Sequence, residues 1–109
     1  MFEIVLTKAA QADLRNNVKW WSEHRSHSEA ERWYVSILEH IYSLQHMPTR
    51  CLLAREAEAL GIELHNPWFG LGSKQTHRVL FTVDGSTVNV LRVLSTRQDT
   101  VALNLKGEE

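Results

Sequence analysis

The spacing of apolar and polar residues at the start of the chain predicts a strand followed by a helix. Residues 2–6 form a short apolar run, interrupted by Glu3, which indicates a strand. From about residue 8 to residue 24, apolar side chains recur every three or four positions and so share one face of a helix: Ala10, Leu14, Val18 and Trp21. Thr7 directly precedes this helix, and its hydroxyl oxygen is suited to accept a hydrogen bond from a free N–H group of the first turn.

A second apolar stripe predicts another helix from about Ser28 to His46. Ser28 and Glu31 have the spacing of a capping box, in which each side chain accepts a hydrogen bond from the backbone N–H group of the other residue. The apolar side chains again share one face: Ala30, Trp33, Tyr34, Ile37, Ile41 and Leu44. We expect the helix to end before Pro48, because the residue that precedes a proline disfavours the helical conformation.

Farther along the chain the period shortens to two, which predicts strands. Residues 61–68 alternate weakly and indicate a short strand or one arm of a hairpin. Residues 76–83 and 87–94 alternate strongly and predict two longer strands. Together the elements predict an α+β fold, with two N-terminal helices packed on one face of a small, mostly antiparallel four-stranded sheet, in a single domain over residues 1–109.

Asp84-Gly85 is predicted to form the turn between the two longer strands, and alternation divides the side chains of the first of them between two faces. Both residue types tolerate a positive φ, as hairpin turns require. In this register three side chains point toward the helices: Val79, Phe81 and Val83. Arg78, Leu80 and Thr82 then point away from the core. The turn can be read in two registers, and a shift of one residue would exchange the two faces of the returning strand, which carries Arg92.

Composition and charge narrow the classes of function. The chain has 109 residues, which is the size of one domain, and its single cysteine, Cys51, excludes an internal disulfide. No apolar run approaches the roughly 20 residues of a membrane span, and the N-terminus lacks the basic leader of a signal peptide, so we expect a cytoplasmic protein. The net charge of −1 is unlike that of proteins that bind nucleic acid through a large basic surface.

Several stretches of the chain, taken in order, resemble one known family. Residues 2–14 match an opening strand and first helix, and residues 30–33 and 44–48 match parts of a second helix and its exit. Residues 77–93 combine a basic strand residue, an apolar strand, an Asp-Gly turn and a Val-Leu-Arg-Val strand. In this order, the chain resembles the RelE/ParE toxin superfamily, which includes the plasmid stabilisation proteins. The resemblance implies a type II toxin that inhibits growth and is neutralised by a cognate antitoxin protein.

The resemblance leaves three functions open. ParE-like members act on a protein target, DNA gyrase, and have no chemistry of their own. RelE-like members are metal-independent endoribonucleases that cut mRNA on the ribosome. A third interpretation is a non-toxic remnant that retains only the binding of its antitoxin.

For a ribonuclease, the resemblance assigns phosphate binding to Arg78 and Arg97, and His77 or His65 could substitute as the acid or base, since imidazole titrates near neutral pH. Cationic groups would stabilise the charge on the scissile phosphate, and an imidazole would serve as acid or base. Nuclease members carry lysines on the second strand and a tyrosine near the end of the chain. Here Glu63 and His65 occupy the second strand, and no tyrosine follows Arg97. A protein target such as gyrase is therefore favoured.

Three further side chains are candidates for contacts with a partner. Trp20 and Trp21 lie about 100° apart on a helix, so Trp20 is either a contact with the antitoxin or half-covered by a loop. Trp68 either packs at the sheet edge or contacts a partner, and Arg92 either lies on the functional face or pairs with an acid of a helix. The six histidines lack the spacing of metal ligands, so no metal or other cofactor is expected.

Overall fold

The computed structural model describes residues 1–72 and 74–96, and its elements follow the predicted order. The helices and strands are β1 (Glu3–Leu6), α1 (Lys8–His24), α2 (His27–Tyr42), α3 (Ala57–Leu60), β2 (Trp68–Phe69), β3 (His77–Asp84) and β4 (Thr87–Ser95). Two 3-10 turns, Ser43–Gln45 and Pro48–Arg50, follow α2. The predicted site residue Arg97 lies outside the described part of the chain.

The four strands form one sheet in the order β1-β4-β3-β2. β3 pairs antiparallel with both β4 and β2, whereas β1 pairs parallel with β4. A parallel pair requires a crossover connection, and α1 and α2 lie in the connection that separates β1 from the rest of the sheet. The predicted α+β fold with a mostly antiparallel four-stranded sheet is confirmed.

Both long helices begin at a capping side chain, although only one cap is the predicted one. Thr7 Oγ1 accepts from the N–H group of Ala10 at 3.1 Å, as expected. For α2 the cap is Ser26 rather than Ser28, and its Oγ accepts from the N–H group of Glu29 at 3.1 Å. Ser26 and Glu29 have the same capping-box spacing as the predicted pair, and the cap lies two residues earlier in the chain than predicted.

The main hydrophobic core lies between one face of the sheet and the two long helices. Its buried side chains come from α1, α2, β3, β4 and the turn after α2: Ala10, Leu14, Trp33, Ile37, Ile41, Leu44, Val79, Phe81, Val88, Val90 and Val93. The predicted inward direction of Val79 and Phe81 is confirmed, and Val83 packs partly buried against the same core. Each large apolar side chain buried in this way contributes roughly 1.5–3 kcal/mol.

The opposite face of the sheet is covered by residues 51–66, which we call the outer segment. A second group of buried apolar side chains joins this segment to the sheet: Ala54, Ala57, Leu64, Leu80 and Leu94. Arg78 lies on the face of β3 away from α1 and α2, as the alternation pattern predicts, but the expectation that this face is open is wrong. Arg78 is 2% exposed because α3 and its flanking loops lie over the face from which it projects.

The β3–β4 hairpin is shifted by one residue from the predicted turn. Asp84 pairs with Thr87, so the two-residue loop is Gly85-Ser86. Gly85 has φ +61°, and a positive φ at the first loop residue alone is the requirement of a type II′ turn. The register of the hairpin shifts farther along, where Leu80 pairs with Arg92 but Phe81 pairs with Val90. Because β4 has one extra residue at this bulge, its inward-facing Val90 and Val93 are three residues apart rather than two.

The weakly alternating stretch over residues 61–68 forms less strand than predicted, because β2 has only two residues. Before β2, His65 makes antiparallel bridges to Phe81 of β3 on one side and to Leu53 on the other. The outer segment therefore continues the sheet beyond β3, with residues 52–54 as its outermost backbone.

Candidate functional site

Arg78, the predicted phosphate-binding arginine, is held in a buried ion pair with Glu56. Its Nη1 and Nη2 atoms donate to Glu56 Oε2 at 2.9 Å and Glu56 Oε1 at 2.8 Å. Its Nε atom donates to Asn66 Oδ1. β3 supplies the arginine and the outer segment supplies both acceptors, so this group of side chains joins the outer segment to the sheet.

Two further features keep the guanidinium group of Arg78 inside the fold. The ring centroid of Trp68 lies 5.6 Å from Arg78 Cζ, within the range of a cation–π contact. The hydrogen bonds from Arg78 hold the pKa of Glu56 below its ordinary value, which keeps the carboxylate ionised. A catalytic arginine has to face the reacting phosphate, whereas this one faces a carboxylate of its own chain.

His77, the candidate acid or base, is also buried and points to the other face of the sheet. One ring nitrogen lies 3.0 Å from Asn17 Oδ1 of α1, and the other lies 2.8 Å from Thr76 Oγ1. Its ring centroid is 5.0 Å from that of Trp33. His77 and Arg78 are therefore on opposite faces of β3, and the fold does not bring them together at one phosphate.

Arg92 pairs with an acid of a helix, which is one of the two roles considered for it. Its Nε and Nη2 atoms donate to the Asp13 carboxylate at 2.7 Å and 3.0 Å, and the N–H group of Val93 donates to Asp13 Oδ2 at 2.9 Å. Asp13 is 6% exposed, and sequence patterns alone did not identify it. The signal that could have identified Asp13 is the position of an acidic residue on the buried face of α1, between Ala10 and Asn17.

The two candidate tryptophans retain accessible surface. Trp20 is half-buried, and its ring stacks on His24 at a centroid distance of 4.7 Å. Trp20 also lines a small cavity of about 170 Å³ at the end of the sheet: Trp20, Trp21, Arg25, Thr76, His77, Ser95 and Thr96. Trp68 is 38% exposed over the Arg78 side chain. A role for either tryptophan in partner binding stays a prediction.

An open groove of about 620 Å³ runs between α1 and α2. Apolar side chains line its floor, and polar ones stand among them: Leu6, Leu14, Val18, Ala30 and Tyr34, with Gln11, Arg15, Ser22, His27 and Glu31. We call this set the helical groove. None of the predicted site residues that the structure describes belongs to it, because its apolar residues have the helical spacing that is typical of core positions. A groove of this kind suits the apolar face of a helix or segment from another protein.

Residues 1–72 and 74–96 hold no cluster of three or more histidine, cysteine, aspartate or glutamate side chains placed to bind a metal ion. In the same part of the chain, no helix has both the length and the apolar character that crossing a membrane requires. Burial raises the pKa of the Cys51 thiol, which lowers its thiolate fraction near neutral pH and disfavours a nucleophilic role.

Comparison with known proteins places this geometry in a family. The family model of the ParE toxin of the type II toxin–antitoxin system parDE matches residues 4–100. Among solved structures, the chain is similar to one described as the chromosomal ParDE TA system from P. aeruginosa, with a TM-score of 0.69 and 20% identity over 87% of this chain and 96% of that chain. That likeness shows a shared fold. No curated protein matches the sequence. Because the family model extends over most of the chain, this protein belongs to the ParE toxin family of type II toxin–antitoxin systems.

Proposed function

We propose that the chain acts in the cytoplasm as a growth-inhibiting toxin on a protein target, with DNA gyrase as the first candidate, and that a cognate antitoxin neutralises it. The family match over residues 4–100 carries this proposal, because it includes both long helices and all four strands except Glu3, the first residue of β1. The toxin would act by binding, with no metal or other cofactor.

The surroundings of Arg78 support a protein target over mRNA cleavage. Cleavage through the 2′-hydroxyl group needs a base, a cation at the phosphate and an acid for the leaving oxygen. Arg78 is paired with Glu56 on one face of the sheet, and His77 contacts Asn17 on the other face. Catalytic roles for these residues and for Arg97 are predictions that apply only to the ribonuclease alternative.

The helical groove is the site we propose for the antitoxin. Its apolar floor is open, and Tyr34 at its edge is 40% exposed. An amphipathic antitoxin segment would bury apolar side chains there and leave its polar side toward solvent. We expect the complex to bury at least about 1,000 Å² in total, as specific interfaces do.

Inducible expression of the chain in a bacterium tests the target. We expect growth arrest with DNA breaks and an SOS response, inhibition of purified gyrase by the purified protein, and uncut mRNA on the ribosomes of arrested cells. Cleavage of mRNA in the ribosomal A site, mapped by toeprinting, would instead establish the ribonuclease alternative. Normal growth together with antitoxin binding would establish the non-toxic remnant.

A matched pair of variants separates the two toxic mechanisms. Glu56→Leu combined with Arg78→Leu removes both buried charges together, which is tolerated better than the loss of one of them. A toxin that acts on gyrase keeps its arrest activity in this double variant, whereas a nuclease that depends on Arg78 loses it. Circular dichroism and thermal unfolding show whether the double variant is folded.

A further inference from the structure

The two walls of the helical groove carry opposite charges. α1 supplies one wall with Arg15, and α2 supplies the other with Glu31. Both of these side chains are exposed. Between the walls, the buried side chains of Leu14 and Ala30 and the half-buried side chain of Val18 form an apolar floor. A segment bound in the groove therefore meets apolar surface beneath it and a different charge on each side.

The charge of Arg15 is not balanced within its own helix. An acidic side chain three or four residues away could pair with it on the helix surface, but those positions hold Gln11, Ala12, Val18 and Lys19. The buried acid of α1, Asp13, is already paired with Arg92. Within residues 1–72 and 74–96, no ion pair involves Arg15. Its guanidinium group can therefore pair with an acidic side chain of a partner.

Glu31 is in the same situation on α2. The positions three and four residues away contain no lysine or arginine, and they hold His27, Ser28, Tyr34 and Val35. In the part of the chain that the structure describes, no ion pair involves Glu31, so Arg15 and Glu31 do not pair with each other across the groove. The two walls thus favour a partner with an acidic side chain on one flank and a basic side chain on the other.

This arrangement of floor and walls suits a bound helix better than a bound strand. A strand directs its side chains to two opposite sides only, so it cannot cover the floor and reach both walls at once. An amphipathic helix has an apolar stripe with polar residues on either side of it. The lining residues of α1 run from Gln11 to Ser22. That distance is about 16 Å along a helix, so the groove can hold about three turns.

We propose that the antitoxin places a helix in the helical groove in one direction only, with an acidic side chain beside Arg15 and a basic side chain beside Glu31. This inference rests on the proposed function of the groove as the antitoxin site. A helix that keeps its apolar stripe on the floor exchanges its two flanks when its direction is reversed. The reversed helix would place like charges opposite each other at both walls, which is unfavourable in an interface. Arg15 and Glu31 thus determine which antitoxins bind and how they are oriented.

Calorimetric titration of the full chain with the purified antitoxin tests the two charge contacts. Arg15→Glu and Glu31→Lys should each weaken binding about tenfold or more, because each brings like charges together. The matched controls are Lys19→Glu on α1 and Glu39→Lys on α2. They reverse exposed charges that do not line the groove, and both should bind the antitoxin like the wild type. Circular dichroism shows whether all four variants are folded.

An exchange of the two charges separates contacts with the antitoxin from contacts within the toxin. Arg15→Glu combined with Glu31→Lys keeps opposite charges on the two walls, so this double variant would bind normally if the two side chains served only each other. We expect it to bind at least as weakly as either single variant. In the original direction both charge contacts are lost, and in the reversed direction the apolar side chains no longer match the floor. Wild-type affinity of the double variant would overturn the proposal.

Photo-cross-linking tests the direction of the bound helix. Benzophenone maleimide is attached at Gln11→Cys or at Ser22→Cys in a Cys51→Ser background, so that the chain has a single thiol. Mass spectrometry should find that the two positions capture opposite ends of the antitoxin helix. Capture of both ends from either position would overturn the proposal. Loss of binding in Tyr34→Glu but not in the single charge variants would also overturn it and leave the groove as the antitoxin site, whereas wild-type binding of all three would exclude the site itself.

Discussion

The charge of Arg78 has to be balanced inside the fold, because its side chain is almost fully buried. Two hydrogen bonds to the Glu56 carboxylate and one to Asn66 supply that balance. A buried ion pair of this kind adds little net stability over an apolar pair, yet the loss of one member leaves an uncompensated charge. The pair therefore determines where the outer segment lies more than how stable the protein is.

We predict that Glu56→Ala destabilises the protein by about 3–5 kcal/mol, because it leaves the guanidinium of Arg78 buried without its partner. Urea unfolding measures this change in the free energy of unfolding. Adding Arg78→Leu to a Glu56→Leu background should recover most of the loss. A double variant as unstable as the sum of the two single variants would contradict this coupling.

The lowered pKa of Glu56 also predicts how the stability of the protein depends on pH. Its pKa is held below the ordinary value of 4.5 in the folded state, chiefly by the hydrogen bonds from Arg78. A lowered folded pKa contributes stability that is complete above the unfolded pKa and is lost as the pH falls through the folded pKa. Below about pH 4.5 the wild type should therefore lose stability more steeply than Glu56→Gln, in urea unfolding at a series of pH values. Parallel curves for the two proteins would exclude this contribution.

The sequence could show which face of β3 carries Arg78 but not what covers that face. Alternation fixes only the direction of a side chain relative to its neighbours. Glu56 is separated from Arg78 by 22 residues, and Asp13 is separated from Arg92 by 79, so neither pairing leaves a local signal. Only the placement of Asp13 on an apolar helix face hinted at a buried role.

At the scale of elements, the start of α2 depends on Ser26. We predict that Ser26→Ala destabilises the protein by about 1 kcal/mol, because the N–H group of Glu29 loses its acceptor. Ser28→Ala is the matched control, since Ser28 lies inside the first turn, and it should change the free energy of unfolding by no more than about 0.5 kcal/mol. Thermal or urea unfolding measures both. A larger effect of Ser28→Ala than of Ser26→Ala would place the cap at the position that the sequence pattern favours.

The long helices and the β3–β4 hairpin were predictable because their signals are local. A stripe of apolar residues defines α1 to its first and last residue, and strong alternation defines the two long strands. The outer segment has no such period, since it combines a four-residue helix with isolated bridges. Its position depends on tertiary contacts, which is why the sequence indicated only a weak strand in this region.

At the scale of the whole molecule, the proposed role of the helical groove in antitoxin binding can be tested separately from toxicity. Tyr34 lines the groove, whereas its neighbour Val35 does not, and both are partly exposed on α2. We predict that Tyr34→Glu weakens the complex with the antitoxin by at least about tenfold, because it places a charge in an apolar interface. Val35→Glu should bind the antitoxin like the wild type. Calorimetric titration measures both affinities.

The same two variants give a result in cells. If the helical groove holds the antitoxin, Tyr34→Glu should still arrest growth when the antitoxin is expressed with it, whereas Val35→Glu should be neutralised. Full neutralisation of Tyr34→Glu would place the antitoxin elsewhere on the molecule.

The family and the layered fold could be predicted from the order of elements, but the surfaces that are open to a partner could not. A single sequence shows which residues are apolar and not which of them meet across a groove. The helical groove is lined by apolar residues of two helical stripes, each of which is by itself typical of core. Only the packing of the elements distinguishes these surfaces from the interior.

The parallel pairing of β1 with β4 has a consequence for the order of folding. The hydroxyl group of Thr7, at the end of β1, donates to Leu91 O, a contact that spans 84 residues. Contacts of such long range form late and slowly, because a long loop has to close first. During synthesis, β1 cannot pair in the sheet until β4 has left the ribosome, so the first strand to be made has to wait for the last of the four strands.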